Sequence, residues 1–255
     1  MKKKLLSLLA LSLLSAPAFA QTISRLDVGP GETYVVAPEN VLQVDTLVLH
    51  EKATIRFSPT QQGVLHAKVA YIGKKCTISA RGLDGANGSA NNPGQNGEAG
   101  GNLSLQLHLE QLGSLTIDAS GGRGGKGANG KNGRQGKPDE YVTKVSRDAH
   151  GKTVKTVELV PGTLGTNGTD ATMGGNGGDG GNIMLVYSTK GFIANFNRDI
   201  HVNNINILYN AGESGKSGTP GKGGFMSSDG MVIASEYRSG RDGKVQLMNL
   251  NQPQP

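Results

Sequence analysis

The sequence predicts an all-β fold in which a short-strand β-solenoid is combined with a bundle of antiparallel polyglycine-II helices. Glycine accounts for 40 of the 255 residues and recurs at every third position in four separate tracts. A short segment of alternating or β-branched residues, typical of a strand, precedes each tract. No amphipathic helix pattern stands out after the first 20 residues. These observations favour strands and close backbone packing over a helical core.

The first 20 residues have the three parts of a secretory signal peptide. Met1–Lys4 is basic, Leu5–Leu14 is apolar, and Ala18–Ala20 is a small-residue cleavage site. The apolar run is shorter than the roughly 20 residues that a membrane-spanning helix needs. The sequence therefore predicts an exported chain that starts at Gln21 and has no membrane span. Its expected destination is the periplasm, the cell surface or the outside of the cell.

Charge and cysteine content narrow the function classes. Lys2–Lys4 supply half of the formal net charge of +6, so the basic balance gives little support to nucleic-acid binding. Cys76 is the only cysteine, which excludes an intramolecular disulfide. Its alternating apolar surroundings predict a buried, structural thiol.

The four glycine tracts cover 82–100, 121–136, 162–180 and 212–224. A period of three is that of a polyproline-II-like helix, and glycine along one edge leaves room for another backbone. Flexible linkers and a collagen triple helix are alternative interpretations. The strict register argues against linkers, and the short, interrupted, proline-poor runs argue against collagen. A bundle within one chain is favoured, with turns predicted at 89–93 and 169–173.

The segments between the tracts complete the predicted organisation. Residues 21–80 form a β-solenoid-like region with strands at Val44–Leu49, Ala53–Phe57, Val64–Tyr71 and Cys76–Ala80. A glycine-tract domain follows at 81–224, with an exposed hairpin inserted at 139–160. Alternating leucines predict a half-buried strand from Leu103. Residues 225–255 are expected to form terminal strands and a polar tail.

Several sequence features resemble a known type of protein. The pattern Ala-x-Gly, at 80–82 and 119–121, leads into repeated Gly-x-x with Asn, Asp and Ser between the glycines. Over about residues 76–224, this resembles the polyglycine-II tip adhesins of long-tail-fibre phages. It is also similar to collagen-like and solenoid-like exported bacterial proteins. The resemblance implies a small lattice whose distal loops contact a bacterial surface, but it carries no diagnostic site residues. The signal peptide departs from the phage pattern.

No recognisable catalytic, metal or cofactor motif is present. Residues 174–179 match the start of a calcium-binding nonapeptide repeat, but they have no tandem copy. An enzyme acting on polysaccharide is the remaining catalytic alternative, with Arg81, Asp84 and Asp118 as its candidate residues. We therefore predict no catalytic centre, no bound metal and no cofactor.

A basic stretch in the second tract contains Lys126, Lys131, Arg134 and Lys137. It has two interpretations, a surface for acidic polysaccharide or an ordinary solvated face. The sequence alone leaves both open.

The predicted function is an exported, non-enzymatic binding or adhesion protein for a surface polysaccharide or a protein partner, with no nucleic-acid ligand. The expected contacts are polar residues at chain reversals, which are exposed and variable in chemistry. These residues are Ser89, Asn91, Asn92, Asp170, Thr172, Arg147, Asp148 and His150. A structural, collagen-like or envelope-assembly subunit is the main alternative, and a homotrimer is left open.

Overall fold

Two parallel β-sheets share one hydrophobic core. The computed structural model describes residues 22–37, 39–90, 92–199, 202–232 and 240–251. All the regular secondary structure in these ranges is β-strand. The predicted signal peptide and Asn91 lie outside the described residues.

The strands, in chain order, are β1 (Thr22–Val28), β2 (Thr33–Val35), β3 (Val41–Leu49), β4 (Thr54–Arg56), β5 (Gly63–Ile72), β6 (Cys76–Ser79), β7 (Leu103–Leu112), β8 (Ser114–Asp118), β9 (Glu140–Arg147), β10 (Thr153–Val160), β11 (Ile183–Thr189), β12 (Asn195–Phe196), β13 (Asn204–Leu208) and β14 (Val245–Asn249). The first sheet has the order β1-β3-β5-β7-β11-β14, and the second has the order β12-β13-β8-β6-β4-β2. Strands β9 and β10 form a separate antiparallel hairpin.

Alternating apolar residues fix the inner face of each sheet. In β7 the alternate leucines from Leu103 to Leu109 are buried and the residues between them are more exposed, so the predicted strand is confirmed. Leu65, Leu105 and Leu185 pair in register across β5, β7 and β11, and all three are buried. Burial of each such leucine side chain contributes about 1.5–3 kcal/mol to the stability of the folded state. These columns stack the strands in one register.

The glycine tracts extend from the two sheets and are held by backbone hydrogen bonds. A front layer consists of the segments 82–88, 121–136 and 212–224, which run parallel. In it, the N–H of Gly85 donates to the carbonyl of Arg123 at 2.7 Å, and that of Gly124 donates to Glu213 at 2.8 Å.

A back layer consists of 94–100, 162–180 and the neighbouring segments 225–231 and 240–244. Within it, Gly97 donates its N–H to Asn176 at 2.8 Å, and Gly180 donates to Arg241 at 2.8 Å. The two layers are antiparallel to each other. Gly175 donates to Gly125 at 2.8 Å, and this bond joins the layers.

The register of the sheets continues into the tracts. Ile78 of β6 pairs with Ile117 of β8, 39 residues further along the chain, and Arg123 donates to a side chain that also lies 39 positions away. Likewise, β7 and β11 pair at a separation of 80 residues, and the N–H of Asn176 donates to the side chain of Asn96, also 80 positions away. The sheets therefore determine which tract residues lie side by side.

In-register glycines stand where another backbone passes. A Cβ atom built on Gly97 or on Gly124 would lie closer than 3.0 Å to carbonyl groups of a neighbouring segment. No side chain fits at such a distance, because the obstructing atoms belong to hydrogen-bonded backbone. The prediction that these glycines permit close backbone approach is confirmed.

The predicted combination of a β-solenoid with a bundle of polyglycine-II helices is wrong. The described residues contain no helix, and their strands form two parallel six-stranded sheets rather than a clear solenoid. The period of three correctly marks where backbones meet. However, it specifies neither a helical conformation nor the strand partners, which lie tens of residues apart in the sequence.

One of the two predicted turns in the tracts is also wrong. The chain reverses at Ser89–Asn92, where the two residues exchange backbone hydrogen bonds of 2.9 and 3.1 Å. The third tract instead runs straight through 169–173. There, Thr169 and Thr172 donate their N–H groups to Lys131 and Ala128 of the antiparallel second tract.

The close approach of the tracts predicts that Gly124→Ala is strongly destabilising. The added Cβ would meet the backbone of Gly175, and relief requires separating two hydrogen-bonded segments. We expect the free energy of unfolding to fall by about 3 kcal/mol. Urea denaturation monitored by circular dichroism measures this. Lys126→Ala, at an exposed position of the same tract, is the matched control. Equal stability of the two variants would contradict the packing role of Gly124.

Candidate functional site

Side-chain oxygens of Asn and Asp complete the hydrogen bonding on the outer surface of the front layer. Each accepts the backbone N–H of a residue in the adjacent segment, at 2.8–2.9 Å. The four acceptors are Asp84, Asn87, Asn129 and Asn132. Since the glycine N–H groups bind backbone carbonyls, the side chains supply acceptors for N–H groups that those carbonyls do not reach.

Side-chain oxygens of Asn and Asp accept backbone N–H groups in the back layer as well. Asn96, Asn167 and Asp179 accept backbone N–H groups of neighbouring segments at 2.7–3.0 Å. Asp170, one of the predicted binding residues, accepts the N–H of Met231 at 2.8 Å. Its carboxylate therefore helps to hold the segment 225–231 on the outer side of the third tract.

Asp84 shows the electrostatic effect of this arrangement. The backbone N–H of Arg123 is the main cause that holds the pKa of Asp84 below its ordinary value, and the Arg81 guanidinium, 2.9 Å away, adds to it. Asp118 accepts the N–H of Ser120 at 2.9 Å. Each of the three residues of the catalytic alternative is thus engaged in a hydrogen bond or an ion pair within the fold.

A step in the front layer exposes the side of the second tract. The first tract turns back at Ser89–Asn92, near the level where Gly88 donates its N–H to Lys126 at 2.7 Å. The second tract continues beyond this level to Gly136. We call the turn, together with the uncovered side chains of Lys131 and Arg134, the ledge.

Threonine hydroxyls of the third tract accept the backbone N–H groups of the second tract at the ledge. The N–H groups of Ala128, Lys131 and Arg134 donate to Oγ1 of Thr172, Thr169 and Thr166 at 2.7–2.8 Å. At the equivalent positions lower in the tract, Gly122 and Gly125 donate instead to carbonyls of the first tract. The hydroxyls therefore replace the neighbour that ends at the turn.

The β9–β10 hairpin projects from the same distal end of the tracts. Lys137 and Thr163 exchange backbone hydrogen bonds of 2.8 Å at its base. At its tip, Asp148 Oδ1 accepts the N–H groups of His150 and Lys152 at 3.0 and 2.8 Å. Every residue of both strands is exposed. The exposed hairpin expected from the sequence is present.

The predicted site residues fall into three places. Ser89 and Asn92 form the turn of the ledge, and Thr172 lies beside them, because its neighbour Met173 accepts the N–H of Gly94. Asp170 lies in the back layer. The remaining three, Arg147, Asp148 and His150, lie at or beside the hairpin tip. Asn91 lies outside the described residues.

Sequence reasoning missed the rows of Asn and Asp acceptors on the two layers, and it missed the ledge. The signal was present in the recurrent Asn, Asp and Thr residues between the glycines, which are acceptors for backbone N–H groups. The buried state of Cys76 was predicted correctly. Desolvation raises the pKa of its thiol, which disfavours the reactive thiolate.

Comparison with protein-family models, with curated proteins and with solved structures gives no match. Within the described ranges, no group of three His, Cys, Asp or Glu side chains is placed to hold a metal ion. The same ranges contain no helix of the length and apolar character needed to cross a membrane.

The row of Asn and Asp acceptors on the front layer predicts different outcomes for two substitutions of Asn87. Asn87→Ala removes the acceptor of the Lys126 N–H and should lower the free energy of unfolding by about 1 kcal/mol. Asn87→Asp keeps an oxygen acceptor, as Asp84 does one repeat earlier, and should remain close to wild type at neutral pH. Chemical denaturation of both variants measures the difference. Equal destabilisation would show that the side-chain bond makes no contribution.

Proposed function

We propose that this chain is an exported, non-enzymatic binding protein that attaches to a glycan or a protein on a cell surface. One observation carries the proposal: no residue of the β9–β10 hairpin is buried against the rest of the chain. A lone two-stranded hairpin is only marginally stable in water. A partner that covers one of its faces would therefore stabilise it.

The more apolar face of the hairpin supports this proposal. Tyr141 lies opposite Leu159, and Val145 and Val157 lie on the same face because side chains alternate along each strand. Tyr141 is 73% exposed, and the two valines are each 63% exposed. Apolar side chains that are grouped and exposed in this way are typical of interaction surfaces.

The rigid, hydrogen-bonded glycine tracts also support the proposal. Their backbones are hydrogen-bonded in two layers, and the polar residues between the glycines are largely exposed. A surface built in this way is rigid and offers hydrogen-bond donors and charges at fixed positions, which lowers the entropic cost of binding. The turn at Ser89–Asn92 and the hairpin tip both extend from this support.

Removal of the hairpin tests the proposal. The variant joins Glu140 to Val160, which face each other in the hairpin, through an Asn-Gly turn. Binding of labelled residues 21–255 to whole cells of the source organism is the measurement, on untreated, periodate-oxidised and protease-treated surfaces. We expect the variant to bind at least about tenfold more weakly, while its melting temperature changes by less than about 2 °C, since the hairpin buries nothing.

A tip variant, Arg147→Ala with His150→Ala, keeps the Asp148 turn but removes two predicted contacts, so it shows whether the tip or the strand faces of the hairpin bind the partner. Loss of wild-type binding after periodate treatment would indicate a glycan partner, and loss after protease treatment would indicate a protein. Full binding by the hairpin-less chain would overturn the role of the hairpin, and no binding of the wild type to any surface would overturn the proposed function.

An assembly subunit is the second candidate, favoured by the edge of the first sheet. No described strand pairs with the free edge of β14. Leu247 continues the column of Leu105 and Leu185, yet it is 47% exposed whereas those two leucines are buried. An unpaired edge with an open apolar column is a template for another chain.

Light scattering over a range of concentrations separates this candidate from a monomeric binding protein. If β14 is an assembly edge, the mass of the wild type in solution should exceed that of one chain. Leu247→Lys should give a monomer, because it would place a charge in the interface between the two chains. Met184→Lys, on the outer face of the adjacent β11, is the matched control. A wild type that remains monomeric at every concentration would exclude assembly through this edge.

A further inference from the structure

We propose that the ledge and the adjoining surface of the front layer bind an acidic polysaccharide. This inference rests on the proposed binding function and names the chemistry of one ligand. The surface comprises residues 87–90, 92–95, 124–137 and 214–224, and it is called the basic surface below. Backbone hydrogen bonds place these three segments side by side, since Gly88 donates to Lys126 and Gly127 donates to Lys216.

The basic surface is strongly cationic, although Asp229, outside its segments, places a carboxylate on it by accepting the N–H of Gly223 at 2.7 Å. Its sequence has no Asp or Glu, and its basic residues are Lys126, Lys131, Arg134, Lys137, Lys216 and Lys222. All six are exposed. Within the described part of the chain, none of them lies within 4.0 Å of a carboxylate, unlike Arg123 of the same tract, which faces Glu213 at 3.8 Å.

The spacing of these charges suits a polyanion. Lys131 and Arg134 are three residues apart, which is at most about 10 Å along an extended backbone. This is close to the Debye length of roughly 8–10 Å in physiological salt, so the fields of neighbouring cations add. A chain with repeated negative charges could engage several of them together.

The polar groups between the cations include exposed hydrogen-bond donors. Asn129 and Asn132 use Oδ1 to accept backbone N–H groups, which fixes the orientation of both amides. Their Nδ2 groups have no hydrogen-bond partner among the described residues, and the hydroxyl-bearing Thr219 lies beside them. Donors of this kind match the ring, hydroxyl and carboxylate oxygens of a sugar chain.

The composition of the surface favours polysaccharide over nucleic acid. Proteins that bind single-stranded nucleic acid stack bases on aromatic side chains, and the basic surface contains no Phe, Tyr or Trp. It offers rows of amide and ammonium groups on one hydrogen-bonded layer. We therefore assign the ligand as a carboxylate-bearing polysaccharide chain that lies along the ledge.

The test uses residues 21–255 and immobilised alginate in calcium-free buffer, with neutral dextran and duplex DNA as rival ligands. Wild type should bind alginate but not dextran, and raising NaCl from about 0.05 to about 0.5 M should abolish most of the binding. Lys131→Glu with Arg134→Glu should weaken it at least about tenfold. Both side chains are exposed, so the melting temperature should stay close to that of the wild type.

Lys74→Glu with Lys244→Glu makes the same change in net charge at two other exposed positions and should bind as the wild type does. An equal loss in this control, or tighter binding to DNA than to alginate, would overturn the assignment. Attachment of the wild type to cells without alginate binding would overturn this inference alone. Failure to bind either cells or alginate would overturn the proposed function as well.

Discussion

The contact of one peptide backbone with another, without side chains between them, governs the distal half of this molecule. Most tract glycines bring their N–H groups within reach of a carbonyl in a neighbouring segment, as Gly85 does with Arg123. Little space then remains for apolar side chains between the segments. In consequence, the residues between the glycines face outwards, and their chemistry is available for binding rather than for a core.

The sheets and the tracts depend on each other through a shared register. Apolar columns such as Leu65, Leu105 and Leu185 fix the relative height of the strands. That height determines which Asn or Asp meets which N–H further along the tracts. A small hydrophobic core can thereby organise a much larger surface, because the order imposed by burial is carried outwards by hydrogen bonds.

Local patterns predicted the contacts but not the partners. The period of three identified the glycines where backbones approach, and alternation identified strands such as β7. The sheet order was beyond reach, since strands that pair, such as β6 with β8, β7 with β11 and β8 with β13, are separated by 39, 80 and 90 residues. The false turn at 169–173 has a specific cause. Ala171 breaks the glycine register without a turn, and the hydroxyls of Thr169 and Thr172 beside it accept N–H groups where the first tract has ended. The ledge depends on this three-dimensional fact.

The long separation between bonded partners has a consequence for how the chain acquires its structure. The side chain of Asn129 bonds to the N–H of Thr219, 90 positions later. Closing such loops costs entropy before any contact compensates for it, so folding should be slow, in the range of milliseconds to seconds. The second tract cannot complete its bonds until the fourth has been synthesised. Under the export proposed above, the tracts would therefore still be open while the chain crosses the membrane.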